Sequence, residues 1–162
     1  MRYPVVVSVF ALVFACLAAG PAHAECSIEG PGGCRAAVTV PCGEGMACAC
    51  IGASGESIRS CSCACVEPGR VEHRPMTQRG RLGLDEQVAV TLGGEPLPLA
   101  DLAALLERSL GWRVEVGTEF RETPVGPVEY RGSLRGFLGM LAAATGSDWS
   151  VDTSRGTIRL DD

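Results

Sequence analysis

Apolar and polar residues follow two different rhythms along this chain, and the rhythm changes with position. From Gln87 onward Val88, Val90 and Leu92 recur at every second residue, so a strand would turn all three to one face, and Gly93-Gly94 ends the run. Leu99, Leu102, Ala103, Leu106 and Leu110 then follow at helical spacing behind Pro98 and ahead of Gly111, which predicts an amphipathic helix with a proline start and a glycine stop. Alternation returns in Trp112-Arg113-Val114-Glu115-Val116, as expected of a strand with one dry face and one wet face.

The order then repeats. Val128-Glu129-Tyr130 reads as a short strand, Ser133 as a helix cap, and Leu134, Phe137, Leu138 and Leu141 as the apolar stripe of a second helix that stops at Gly146. Trp149 and Val151 begin a further strand, Asp152-Thr153-Ser154-Arg155-Gly156 makes a turn, and Thr157 to Leu160 closes a terminal hairpin. Each unit carries a Leu-rich helix, a glycine stop, a Trp and a Val two residues later: Gly111, Trp112 and Val114, then Gly146, Trp149 and Val151. A pseudo-duplicated β-α-β is expected, and with it an α+β domain over residues 84–162 of order β-α-β-β-α-β-β, its two helices on one face of a mixed sheet.

Residues 25–66 have another character. Cys26, Cys34, Cys42, Cys48, Cys50, Cys61, Cys63 and Cys65 all fall there, with too few large apolar side chains for a core of their own. Ala47-Cys48-Ala49-Cys50-Ile51 and Ser60-Cys61-Ser62-Cys63-Ala64-Cys65-Val66 alternate with period two, so in strands each set of sulfurs would leave one face, with Gly52 to Glu56 as the turn. If the runs pair as a hairpin, Cys50 opposes Cys61 and Cys48 opposes Cys63, leaving Cys26, Cys34, Cys42 and Cys65 for other bridges; sequence alone does not choose among the connectivities of eight cysteines. A small disulfide-stapled β module is the expectation. The alternative is a thiolate site for zinc or copper(I) built from Cys48, Cys50, Cys61, Cys63 and Cys65, although Cys-x-x-Cys spacing and a nearby ligating His are both missing. A thioredoxin-like redox motif would also need Cys-x-x-Cys, where this chain has Cys-x-Cys. Residues 67–83, with Pro68, Gly69, Pro75, Gly80 and Gly83 around Arg70, Arg74, Arg79 and Arg81, read as a solvated linker between the halves.

The start of the chain explains how those cysteines would meet an oxidant. Arg2, the apolar stretch from Val5 to Ala18, and Ala22-His23-Ala24 before Glu25 form a secretory signal over residues 1–24, cleaved between Ala24 and Glu25. The apolar stretch is shorter than the roughly 18 to 20 residues that span a bilayer. Cleavage removes Cys16 and leaves an even set of eight cysteines, the pattern of an exported disulfide protein. Val13-Phe14-Ala15-Cys16 offers a rival processing, in which lipidated Cys16 would anchor an outer-membrane lipoprotein.

Composition then narrows the functions. The chain has 162 residues, 46% hydrophobic and 20% charged, with a net charge of -5 and all 14 basic residues Arg, so no cationic field is available for nucleic acid. His73, the one histidine beyond the leader, falls in the linker; Gly132-Ser133-Leu134-Arg135-Gly136 lacks the spacing of a nucleophile elbow; Glu115 and Glu129 read as solvated surface, and Trp112 and Trp149 as core. The expectation is a non-enzyme with no catalytic residues and no cofactor.

Leu97-Pro98-Leu99-Ala100-Asp101-Leu102, Leu110-Gly111-Trp112-Arg113-Val114, Tyr130-Arg131-Gly132-Ser133-Leu134 and Thr145-Gly146-Ser147-Asp148-Trp149-Ser150-Val151 occur in an order that resembles the secretin and TonB short N-terminal domain. The resemblance is closest to the periplasmic N-terminal modules of type IV pilus secretins and covers residues 95–160. It implies a periplasmic protein-protein interaction domain, docking beside a secretin, pilus or TonB-system component, with self-association into a homo-oligomer as a further option. The chain departs from both families in carrying no outer-membrane barrel and no secretin core, so it would serve as an accessory subunit and not as the pore.

Overall fold

The computed structural model describes residues 25–56, 59–72 and 82–162. Residues 1–24, the expected leader with Cys16 and Ala24, and His73, Arg74, Arg79 and Arg81 of the expected linker lie outside the described residues, whereas Glu25 is described and exposed. Eleven strands and two helices follow in chain order among them: β1 (Ser27–Glu29), β2 (Arg35–Ala37), β3 (Ala47–Ser54), β4 (Arg59–Val66), β5 (Gln87–Gly94), the two-residue β6 (Leu97–Pro98), α1 (Leu99–Leu110), β7 (Arg113–Val116), the two-residue β8 (Pro124–Val125), β9 (Val128–Ser133), α2 (Leu134–Thr145), β10 (Asp148–Asp152) and β11 (Thr157–Asp161). The protein is α+β, and once the two-residue bridges are set aside its second half has the order β-α-β-β-α-β-β.

Those strands divide between two principal sheets. An antiparallel sheet runs β4-β3-β5-β9, and a mixed one runs β10-β11-β7, with β11 antiparallel to β10 and parallel to β7. Both helices stop at the glycines that their sequences mark. Gly111 and Gly146 take up left-handed φ values of 72° and 75°, which suit glycine, and each donates its N–H to the carbonyl four residues back, Glu107 and Ala142. At the start of α2 the Ser133 hydroxyl accepts the Gly136 N–H at 3.1 Å. The duplication is therefore present in helix length and in the glycine C-caps, but not in topology, because β7 and β10 flank β11 in opposite directions.

Residues 25–66 and 84–162, expected as separate modules, share one sheet. β3 pairs along its whole length with β4 on one side and with β5 on the other. Its odd residues Ala47, Ala49, Ile51 and Ala53 join the main core with Leu99, Leu102 and Leu106 of α1, Phe137, Leu138 and Leu141 of α2, and Ile158 and Leu160 of β11. Its even residues Cys48 and Cys50 join a second core with Cys26, Ile28, Cys42 and Ala89. The cysteine-rich segment thus lacks a large apolar core, as its composition indicates, and makes up the deficit partly with disulfides and partly by covering the helices of the other half. Asp101, in the first turn of α1 and buried, accepts the Gly69 N–H at 2.5 Å and so fastens the chain leaving β4 onto that helix.

Candidate functional site

All eight cysteines of the described chain are paired: Cys26–Cys48, Cys34–Cys61, Cys42–Cys65 and Cys50–Cys63. The period-two reading of the sulfurs holds, since Cys48 and Cys50 share a face of β3 and Cys61, Cys63 and Cys65 share the same face of β4. The hairpin register differs from the expected one. Cys50 lies opposite Cys63, and Cys48 opposite Cys65, because the strands run to Ser54 and Arg59 before they turn and the pairing slides by two residues. Such a slide keeps every side chain on its face, which is why alternation alone did not detect it. Only Cys50–Cys63 is a direct cross-strand bridge. Cys48, Cys61 and Cys65 reach out to Cys26, Cys34 and Cys42, and so clamp the β1–β2 layer onto the sheet.

The five cysteines of the metal alternative are thereby all engaged in disulfides and present no thiolates in this form. The Sγ atoms of Cys26, Cys48 and Cys50 do lie within 4.8 Å of one another. Their closeness is that of two stacked disulfides: Cys50 Sγ is 3.2 Å from Cys26 Sγ, and neither sulfur carries a proton to donate.

A cleft of about 440 Å³ opens on the disulfide side of the antiparallel sheet. Gln87 and Ala89 of β5 form its floor, Glu29, Gly30 and Pro31 at the end of β1 form one wall, and Arg131 of the edge strand β9 forms the other. Two glycines let these layers come so close. The Cα of Gly30 lies 3.1 Å from where a Cβ on Gly52 would be, and a Cβ on Gly30 would fall 2.5 Å from Cys61 Sγ and 2.7 Å from Cys34 Sγ. Glu29 bonds Arg35 at 2.9 Å; that hydrogen bond and the guanidinium charge hold its carboxyl below the ordinary carboxylate range, and Arg131 adds a smaller pull from across the cleft. Arg59 lies against Gly32, its Nε 2.9 Å from where a Cβ there would be. Arg131 is thus the guanidinium that lines the cleft, and Arg35 stands behind the Glu29 wall as that carboxylate's partner.

Other residues singled out in the sequence take structural places. Ser133 is the cap of α2, Trp112 is buried and donates its indole N–H to the Leu82 carbonyl, and Trp149 is half-buried against the main core. Glu115 accepts from Arg159 at 3.1 Å and pairs with Arg113 at 3.2 Å on the wet face of the mixed sheet, while Glu129 is exposed beside the cleft. Glu29, Gln87 and Arg131 were not marked by sequence: they stand about 100 residues apart at the extremes, and only the pairing of β5 with β3 and β9 brings them together. Among the described residues no helix is long and apolar enough to cross a membrane. Scans against protein-family models, curated proteins and solved structures found no match to this chain.

Proposed function

We propose that this is an exported, non-enzymatic interaction module of the bacterial periplasm, an accessory component that docks on an outer-membrane secretin, a type IV pilus or a TonB-linked transport or signalling assembly. Four disulfides place it among proteins of an oxidising compartment. The leader supports export, and the resemblance over residues 95–160 supports the periplasm and the class of partner. The observation that carries the docking role is the pair of sheets that end in open strands. β9 and β4 bound one sheet and β10 and β7 the other, with no further strand paired to them among the described residues, and an unpaired edge is a ready surface for another chain. The Cys-rich layer in this view is a clamp that keeps the edge-bearing sheet rigid.

The test is crosslinking in the native host at native expression level, with identification of the adducts. Recovery of a secretin, pilus or TonB-system component supports the reading. Adducts confined to proteins outside those assemblies, or to none, overturn it.

A further inference from the structure

We propose that the free edge of β9 and the arginine-bordered cleft beside it form one binding site, which takes an extended partner segment carrying an acidic side chain against Arg131. The inference rests on the docking role above and adds which edge is used and what chemistry it reads.

The hydrogen-bonding phase of β9 follows from a single contact. Leu134 N–H donates to the Glu86 carbonyl at 3.0 Å, and these residues continue the register in which Gln87 stands opposite Ser133. Bonded and unbonded pairs alternate in an antiparallel ladder. Gly132, Tyr130 and Val128 therefore spend their backbone groups on β5, while Ser133, Arg131 and Glu129 turn theirs outward. The Ser133 carbonyl is already taken by the Tyr130 hydroxyl at 3.0 Å, which agrees with that phase. Arg131 and Glu129 are left with an N–H and a carbonyl each, at the spacing of a further antiparallel or parallel strand.

Side chains and charge say what that strand would carry. Arg131 and Glu129 sit opposite Ala89 and Thr91, so their side chains rise on the disulfide face and not toward the helices. Arg131 faces the cleft, where Glu29 is occupied by Arg35 at 2.9 Å and Gln87 offers an amide. An added strand projects alternate side chains over the same face, and one of them falls over the cleft. A carboxylate there meets Arg131 in a fork geometry, whereas a cation meets a like charge; the lining carboxylate Glu29 is already engaged by Arg35. Selection between acidic and basic segments is thus built into the wall of the cleft.

The test uses the full oxidised chain and two fluorescein-labelled peptides, Gly-Val-Asp-Val-Asp-Val-Gly and its counterpart with Lys in place of Asp, read by fluorescence anisotropy. The acidic peptide is expected to bind at least ten-fold more tightly than the basic one, to weaken with added salt, and to lose its advantage in Arg131→Glu. Equal binding of the two peptides, or an acidic preference that survives Arg131→Glu in a variant of unchanged circular dichroism, overturns the site. A photo-crosslinker placed at Glu129 in cells separates this inference from the docking role. Capture of an envelope component from other positions but not from Glu129 sinks the site alone, whereas peptide selectivity with no envelope component captured anywhere sinks the docking role alone.

Discussion

Because β3 belongs to both cores, loosening the cysteine layer should be felt at the tryptophans, which lie entirely in the other half. The Cys34→Ala/Cys61→Ala double variant is the cleanest perturbation, since both sulfurs are only half-buried and their removal leaves little apolar void. The bridge spans 27 residues of sequence, but the other three shorten the loop it closes. From Cys34 the chain reaches Cys42, crosses to Cys65 and returns to Cys61, so the effective loop is roughly a dozen residues, and the chain-entropy relation gives about 3 kcal/mol for it. With an m-value of about 2 kcal/mol/M in urea, the midpoint should fall by about 1.5 M. Urea titration of the oxidised protein, followed by fluorescence of Trp112 and Trp149 and in parallel by far-ultraviolet circular dichroism, reads this directly. Coincident curves shifted together are expected. A tryptophan midpoint left in place while circular dichroism shows a separate earlier transition would refute the shared-strand argument and restore two independent modules.

Three further outcomes follow from the packing. Gly30→Ala drives a methyl group to 2.5 Å from Cys61 Sγ, an atom fixed by its bridge, and should cost about 1 to 3 kcal/mol in the same urea assay; wild-type stability there would show that the layers have room to part. Phe137→Ala removes a fully buried ring that also packs against Tyr130 at 5.4 Å between centroids, for a loss of about 3 to 5 kcal/mol by thermal or urea unfolding. Asp152 accepts the Ser154 hydroxyl at 2.5 Å and the Arg155 and Ser154 N–H groups in the β10–β11 turn, and these bonds, the Ser154 hydroxyl foremost, lower its pKa from 3.8. Its stabilisation is accordingly present in full above the ordinary carboxylate pKa and lost as pH falls through the lowered folded value, so wild type and Asp152→Ala should differ in urea midpoint at neutral pH and converge in strong acid; a gap that persists unchanged in acid contradicts the role of the ionised group.

How much of this was legible in the sequence depends on how local each signal is. The helices were, down to Gly111, Gly146 and the Ser133 cap, because a helix is specified by neighbours three and four residues apart and by its own ends. So was the terminal hairpin, where Asp152 lies opposite Thr157 as its turn residues require. The sulfur faces were legible, but the register was not, since a two-residue slide leaves all parities intact. The greatest departure concerns Ala47, Ala49 and Ala53. Three small side chains gave no sign of a core strand, yet small is what the position demands where the face of β3 lies beneath Leu-rich α1. Strand partnership across the linker carries no local periodicity at all, and the cleft, which depends on it, was invisible for the same reason.

The double burial of β3 also sets a timetable. A chain is made from its N-terminus, so β3 and β4, with every cysteine of the described protein, are complete before β5 and either helix exist. In an oxidising compartment the four bridges can close over loops of 13 to 27 residues while the opposite face of β3 still waits for its cover. During that interval the hairpin shows water a strip made of Ala47, Ala49, Ile51 and Ala53, with one large side chain among four. A leucine or valine strip on an open strand would be an invitation to pair with the nearest unfolded neighbour. The alanines that leave this strand without the bulk of an ordinary core strand are what allow it to stand uncovered until the rest of the protein arrives.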